Sequence, residues 1–391
     1  MNFDESVKYL YSLGNEVLAM KLGLENPRKL LQALGSPHNR YLKVQIAGTN
    51  GKGSTCAFLD AICRSAGIKT GLYTSPHLIS ITERIKIDGE EISADDFAKY
   101  ATRVRETTET EQLYATFFEQ MTAIALLAFA EKGVELAILE TGLGGRLDAT
   151  TAANAEIVAI TPIDYDHQQY LGETLSEIAG EKAAIINSPN QKVVVSKQLA
   201  EAEKIIFKKC SEFNIEPLRT DFDLPSVELS LKGKFQVENA KVAVRLAEIL
   251  NIDKPQIING LQTATHKGRL EFYKEILFDG AHNIAGAKAL QAYLEEFVSQ
   301  PITLIFGAMK DKQIAEIAEI LFPIADKLIL TKPNNLRSAL PEELAKFTTQ
   351  KVYLAESVAE ALELAKTFPE NLTCVIGSLY LVGEAQKLLS K

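Results

Sequence analysis

Residues 41–67 read YLKVQIAGTNGKGSTCAFLDAICRSAG: an apolar run, a glycine-rich turn, then apolar residues at helical spacing. A strand delivered through such a turn into a helix limits severely what the chain can become. Unpaired helix N–H groups and the positive helix end converge on the turn, where an anion such as phosphate is favoured. Gly48, Gly51 and Gly53 let the backbone wrap that anion closely, and Lys52 can reach its outer phosphates. A simple tight turn would not need three glycines around Asn-Gly-Lys. The match to G-x-x-x-x-G-K-S/T is nevertheless incomplete, because Ile46 holds the first glycine position and Gly53 replaces the metal-binding hydroxyl. Magnesium keeps several waters, so one or two protein ligands from neighbouring strand ends would suffice.

The same alternation recurs along the chain and predicts an α/β fold with a mostly parallel sheet covered by helices. YLKVQIA (41–47), VELAILE (134–140), AEIVAIT (155–161) and KVVVS (192–196) read as strands; residues 55–67, 117–133 and 174–186 read as helices between them. RIKIDGEEIS (84–93) reads as a hairpin turning on Asp88-Gly89. Short alternating runs over about 220–237 suggest a small β insert decorating the first sheet. From Glu271 the alternation restarts, so the expected division is residues 1–266, a linker 267–270, and a smaller α/β domain 271–391.

A formal charge of −9, from 51 acidic and 42 basic residues with no Lys/Arg-rich block, argues against a nucleic-acid partner. Local clusters of amides and cations can still bind acidic small molecules. The four cysteines, at 56, 63, 210 and 374, form no CxxC pair and read as buried apolar residues. The acidic, amphipathic N-terminus is unlike a signal peptide, and no apolar run approaches the ~20 residues of a membrane span. A cytoplasmic protein without a membrane partner is expected.

Metal-ligand candidates lie where strands are expected to end. Ser75 stands in LYTSPHL, Glu140 ends VELAILE before the glycine-rich TGLGGRLD, and Asp166-His167 follows AEIVAIT. Singly each has a bland reading as turn serine, strand-end carboxylate or surface histidine; as a set beside a phosphate loop they suggest a metal site. Lys182, on an apolar helix, is either a snorkelling cation or a partly buried amine able to take up carbon dioxide as a metal-binding carbamate. Further on, FDGAHNIAG places Asp279, His282 and Asn283 at a strand-to-helix turn, with helix capping the competing reading. Arg269, in the joint, could swing toward a phosphate or remain solvated.

In chain order, GTNGKGS, YTSPHL followed by ERI, LETGLGGRLDAT, DHQQYLG, GEKAAII, GRLE and FDGAHN resemble the folylpolyglutamate synthase/dihydrofolate synthase branch of the Mur ligase superfamily. The resemblance runs from about Leu22 to the IGSLYLVGE segment near the C-terminus. It implies a P-loop-type ATPase domain and a smaller Rossmann-like C-terminal domain. It also implies an ATP- and Mg²⁺-dependent amide ligase that phosphorylates a carboxylate and joins it to L-glutamate. By motif, Asn50, Gly51, Lys52, Gly53 and Ser54 resemble the ATP phosphate loop, and Asn239 the adenine contact. Arg269, Asp279 and His282 resemble further nucleotide contacts. Ser75, Glu140 and His167 resemble metal ligands, with Lys182 the carbamylated lysine; Lys52, His167, Lys182 and Arg269 are thus the expected catalytic group. Arg84, Phe118, Asp148 and Ala149 resemble the pterin or folate contacts, and the RLDAT form favours use of both dihydropteroate and reduced folates. A helix over residues 4–19 is expected to cover the pterin site. Phe235 stands where many members have histidine, and Ser338 where alanine is frequent.

Three alternatives compete. A polyglutamylating enzyme without dihydropteroate activity would share every motif outside the pterin pocket. A peptidoglycan Mur ligase would usually carry Thr after the loop lysine and a further N-terminal domain, whereas only about forty residues precede this loop. A nucleotide-binding switch has no use for Ser75, Glu140, His167 and Lys182 as a set. The resemblance further implies a monomer.

Overall fold

The structure, a computed structural model, describes residues 1–14 and 23–390. The described chain forms two compact units: Met1–His77, Ile81–Ser230 and Val237–Thr265 in the first, and Leu78–Ser80, Leu231–Gln236 and His266–Lys391 in the second.

The first unit is built on eight strands: β1 (Leu42–Ala47), β2 (Thr70–Tyr73), β3 (Ile85–Ile87), β4 (Glu90–Glu91), β5 (Leu136–Glu140), β6 (Ile157–Ile160), β7 (Lys192–Val195) and β8 (Leu218–Arg219). They lie in the order β4-β3-β2-β5-β1-β6-β7-β8. From β2 to β8 all pairings are parallel, whereas β3 and β4 add an antiparallel margin. β5 and β6 are buried throughout, and β1 is buried beyond Leu42, because helices cover both faces. Asp88 and Gly89, both at positive φ, make the turn between β3 and β4. Each marginal strand has two residues, all exposed.

The chain leaves β1 toward β2, skipping β5, but leaves β5 toward β6, crossing β1. Connections therefore diverge around β1. At such a switch point the carboxyl ends of the strands frame a crevice. The loops after β1, β5 and β6 share this margin, and the loop after β2 adjoins it.

The second unit holds β9 (Glu271–Tyr273), β10 (Ile276–Asp279), β11 (Ile302–Phe306), β12 (Lys327–Leu330), β13 (Val352–Leu354) and β14 (Leu372–Ile376), ordered β13-β12-β11-β14-β10-β9. Only β9 is antiparallel. Lys274 and Glu275 take positive φ and fold EFYKEILFD back on itself as a hairpin.

One expectation fails. The alternating segment 220–237 forms no insert: no strand lies between Arg219 and the helix Phe235–Ile249. Its backbone is claimed elsewhere, since Ser230 N and Oγ both bond to Leu261 O, and Oγ also bonds to Ala264 O. Alternation gives a strand only where another backbone is available to pair with it.

At the N-terminus a helix spans Phe3–Ser12, started by an Asn2/Glu5 capping box. Residues 15–19 of the longer helix expected there lie outside the described residues. All four cysteines are free and buried. No helix among the described residues is long and apolar enough to cross a membrane.

Candidate active site

The turn after β1 enters the helix Lys52–Ser65 through Gly51, which takes φ 86° and offers no side-chain cap. Glycine is required here twice over: the conformation is left-handed, and a Cβ would lie 2.0 Å from Asn239 Oδ1. At Gly48 a Cβ would fall 1.9 Å from Thr161 Oγ1, so the turn is pressed against the end of β6. Thr49 N and Asn50 N both donate to Pro162 O, at 3.0 and 3.2 Å, fixing the outer part of the loop. Asn239 is buried against Gly51, and its carbonyl accepts from Thr55 Oγ1 at 3.4 Å.

Two lysines converge on one carbonyl. Lys52 Nζ donates to Gly48 O at 3.1 Å and to Thr49 O at 3.2 Å, while Lys182 Nζ donates to the same Gly48 O at 2.9 Å. Lys182 lies on the helix Leu175–Ala183 and is buried. Burial, reinforced by the charge of Lys52, pushes its amine down to about 7, against the weaker opposing pull of Asp166 and Asp148. Burial thus favours the neutral amine here, where a snorkelling lysine would keep its charge in water.

Glu140 is buried at the end of β5, in register with Ile46 of β1, and its Oε2 accepts from Ser75 N at 3.1 Å. Ser75 precedes a cis peptide to Pro76. His167 sits at φ 54° beyond β6; its N–H donates to Asp166 Oδ1 at 2.9 Å, and its Nε2 lies 3.8 Å from Asp166 Oδ2. No group of three or more His, Cys, Asp or Glu able to hold a metal occurs among the described residues. Ser75 and Glu140 adjoin, and a hydroxyl beside a buried carboxylate offers oxygen donors that suit a hard cation keeping most of its water, such as Mg²⁺.

The residues read as acceptor contacts fall into two groups. Phe118 packs on the glycine segment after β5, where a Cβ on Gly142 would meet its ring at 2.6 Å, and lies 5.9 Å from the Tyr73 ring. Asp148 is tied into the same segment: Oδ2 accepts from Gly142 N and Leu143 N at 2.8 and 3.0 Å, and Oδ1 from Thr150 N at 3.0 Å and from Thr150 Oγ1. Burial raises its pKa while these bonds oppose the rise. The carboxylate thus shapes the loop and starts the short helix Ala149–Ala153, in which Ala149 is buried. Asp148→Ala leaves these donors without an acceptor and is expected to cost on the order of 3 kcal/mol, read by denaturant unfolding. Arg84, by contrast, groups with His77: its Nε donates to His77 Nδ1 at 2.8 Å, and Thr74 N donates to its carbonyl. His77 received no role from the sequence, although its place two residues after Ser75 was a usable signal.

In the second unit Asp279 is buried at the end of β10 and accepts from Leu270 N at 2.9 Å and Ala281 N at 2.8 Å. Burial raises its pKa, with the Arg269 charge the foremost opposing influence. His282 Nδ1 lies 2.6 Å from Gly280 O, and Asn283 caps the helix Ile284–Phe297 by accepting from Gly286 N. Asp279 and His282 thus share one turn and Arg269 lies beside it, its Nη1 3.2 Å from where a Cβ on Gly280 would stand, while Asn283 caps the helix.

Comparison with known proteins identifies the family of the chain. Residues 46–216 match the Mur ligase middle domain and residues 268–379 the Mur ligase glutamate ligase domain. The chain is 33% identical to a probable bifunctional folylpolyglutamate synthase/dihydropteroate synthase of Haloferax volcanii, over 99% of its own length and 50% of that protein. It therefore spans about half of that relative. With the dihydrofolate synthase/folylpolyglutamate synthase of Bacillus subtilis it shares 33% identity over 96% of this chain and 97% of the other. The solved structure of Mycobacterium tuberculosis folylpolyglutamate synthase complexed with ADP superposes with a TM-score of 0.91 at 29% identity, covering 100% of this chain and 98% of that one. The chain belongs to the folylpolyglutamate synthase/dihydrofolate synthase family of the Mur ligase superfamily.

Proposed function

We propose that the protein is an ATP-dependent ligase that adds L-glutamate to dihydropteroate and to reduced folates. The observation that carries the reading is the meeting of Lys52 and Lys182 on Gly48 O, at a strand margin shared with the buried Glu140. A carboxylate is a poor acyl donor until one oxygen becomes part of a phosphate leaving group. The acceptor carboxylate attacks the γ-phosphorus of ATP, giving an acyl phosphate and ADP. The amine of L-glutamate then attacks the acyl carbon, the C–O bond to phosphate breaks, and the amine loses a proton as the amide forms.

Each residue has a defined part in this proposal. The loop Asn50–Ser54 cradles the phosphates through its amides, Lys52 lies along the transferring group, and Asn239 contacts the base. Ser75, Glu140 and His167 would hold Mg²⁺, which when bound offsets phosphate charge during transfer. Lys182 in its neutral form adds to carbon dioxide through nitrogen and releases a proton, so that a cation becomes an anion beside those ligands. Phe118 with the Asp148–Ala149 loop receives the pterin, and Arg84 contacts the acceptor. Arg269, Asp279 and His282 are further candidate nucleotide contacts. The proposed enzyme works as a cytoplasmic monomer on small molecules, without a nucleic-acid or membrane partner.

The test is incorporation of labelled L-glutamate, with 7,8-dihydropteroate and tetrahydrofolate as parallel acceptors, with and without Mg²⁺. Turnover of both acceptors, abolished without the metal, is the expected result. Turnover of tetrahydrofolate alone would mean a dedicated polyglutamylating enzyme, and turnover of neither would overturn the assignment.

A further inference from the structure

Four side chains of the first unit form a closed ring of contacts apart from the phosphate loop. Arg84 is buried, at 2% exposure, and its Nε–H donates to His77 Nδ1 at 2.8 Å. Its Cζ lies 5.3 Å from the centroid of the Phe117 ring. Phe117 stacks on Tyr11, with centroids 5.7 Å apart and planes within 3°. The Tyr11 hydroxyl closes the circuit, 3.1 Å from His77 Nε2.

The chemistry of the ring fixes its polarity. A guanidinium has donors only, so His77 Nδ1 must present its lone pair. The neutral imidazole then carries its proton on Nε2 and donates it to the tyrosine oxygen. With the inner Nε–H held by His77 and Cζ over the Phe117 ring, rotation of the guanidinium about its stem is restricted. The direction of its outer Nη edge is consequently set by a histidine on the neighbouring loop.

We propose that His77 is a positioning residue for the acceptor: it locks Arg84 in the orientation that binds the folate or pteroate, and through Tyr11 it draws the helix Phe3–Ser12 into the same arrangement. This rests on the reading of Arg84 as an acceptor contact. An arginine fixed before binding forfeits less side-chain freedom on meeting its ligand than one that must be ordered by it. The effect therefore belongs to acceptor affinity and not to the chemical step.

The test is steady-state kinetics of the full chain with each acceptor, for His77→Leu, His77→Asn, Tyr11→Phe and Arg84→Ala. His77→Leu is expected to raise the acceptor KM about tenfold, with kcat and the ATP KM within about twofold of the parent. His77→Asn, whose amide oxygen stands where Nδ1 stands and can take the Nε–H bond, should recover most of that loss, and Tyr11→Phe should cost about threefold in the same parameter. If Arg84→Ala raises the acceptor KM but His77→Leu does not, the positioning role is wrong and the Arg84 reading survives. If neither changes it, the Arg84 reading itself fails. A His77→Leu effect on kcat or the ATP KM, or no recovery in His77→Asn, would also overturn the inference. Should His77→Leu fail to fold, His77→Gln takes its place: its amide reaches the Nε2 position beside Tyr11 and not the Nδ1 position beside Arg84, so equal affinity in the Asn and Gln variants would be decisive against the proposal.

Discussion

Replacing Lys182 by alanine is expected to lower glutamate ligation by about 100-fold or more, with partial recovery on addition of short carboxylates such as acetate. The amine is buried, shares Gly48 O with Lys52, and is pushed down to about 7. If its part is to supply an anion, a small carboxylate diffusing into the space left by alanine can stand in for the missing group. Undiminished turnover, or loss that no carboxylate repairs, would sink that role. A second readout concerns stability. Lys182→Met removes a cation that folding must either bury charged or strip of its proton, so the variant should unfold at higher temperature than the parent in CO₂-free, metal-free buffer. The sign with pH follows from the depressed value. Below about 7 the lysine is protonated in both folded and unfolded chains, and the advantage of the methionine variant is full. Between about 7 and the ordinary 10.5 the unfolded chain binds the extra proton, the parent gains stability, and the advantage fades. A gap between the two proteins that does not change with pH would contradict the burial argument.

Gly48→Ala is expected to abolish productive ATP binding while the protein still folds. The added methyl would stand 1.9 Å from Thr161 Oγ1 and 3.0 Å from Thr161 O, at a φ of 150°. The loop must move, and with it the carbonyl on which both lysines rest. Binding of a fluorescent ATP analogue should weaken at least tenfold, a difference of about 1.4 kcal/mol or more, with far-ultraviolet circular dichroism unchanged. Adding Thr161→Ala removes the nearest atom but not the backbone oxygen, so the double variant should recover only part of the affinity. Full recovery would show that the side-chain clash alone matters; unchanged affinity in the single variant would refute the account of this loop.

Much of this architecture was legible in the sequence because parallel strands buried on both faces write themselves as unbroken apolar runs. VELAILE and KVVVS became β5 and β7, and the Asp88-Gly89 hairpin formed as its turn chemistry required. The segment 220–237 misled because alternation records a side-chain pattern and not the presence of a pairing partner; Ser230 is instead bonded to Leu261 and Ala264. Around the candidate site, the glycine-rich turns fall after the strands where they were expected, while the side-chain contacts were not readable. Nothing in FFEQ or SPH states that Phe117 faces Arg84 or that His77 accepts from it. Nor does RLDAT disclose that the Asp148 carboxylate is engaged by its own loop.

The margins of the eight-stranded sheet bear on how the protein tolerates its own concentration. An edge strand is a template on which another chain can align, and its hazard grows with its length and apolar character. Here one margin is the pair Glu90–Glu91 and the other is Leu218–Arg219, with Arg219 paired to Glu203 and Asp221. Two residues provide too few backbone groups to register a newcomer, and like-charged carboxylates along one margin repel a second copy of themselves. Growth of the sheet from molecule to molecule is thus blocked at both ends, and crowding should not drive this unit toward fibrous assembly.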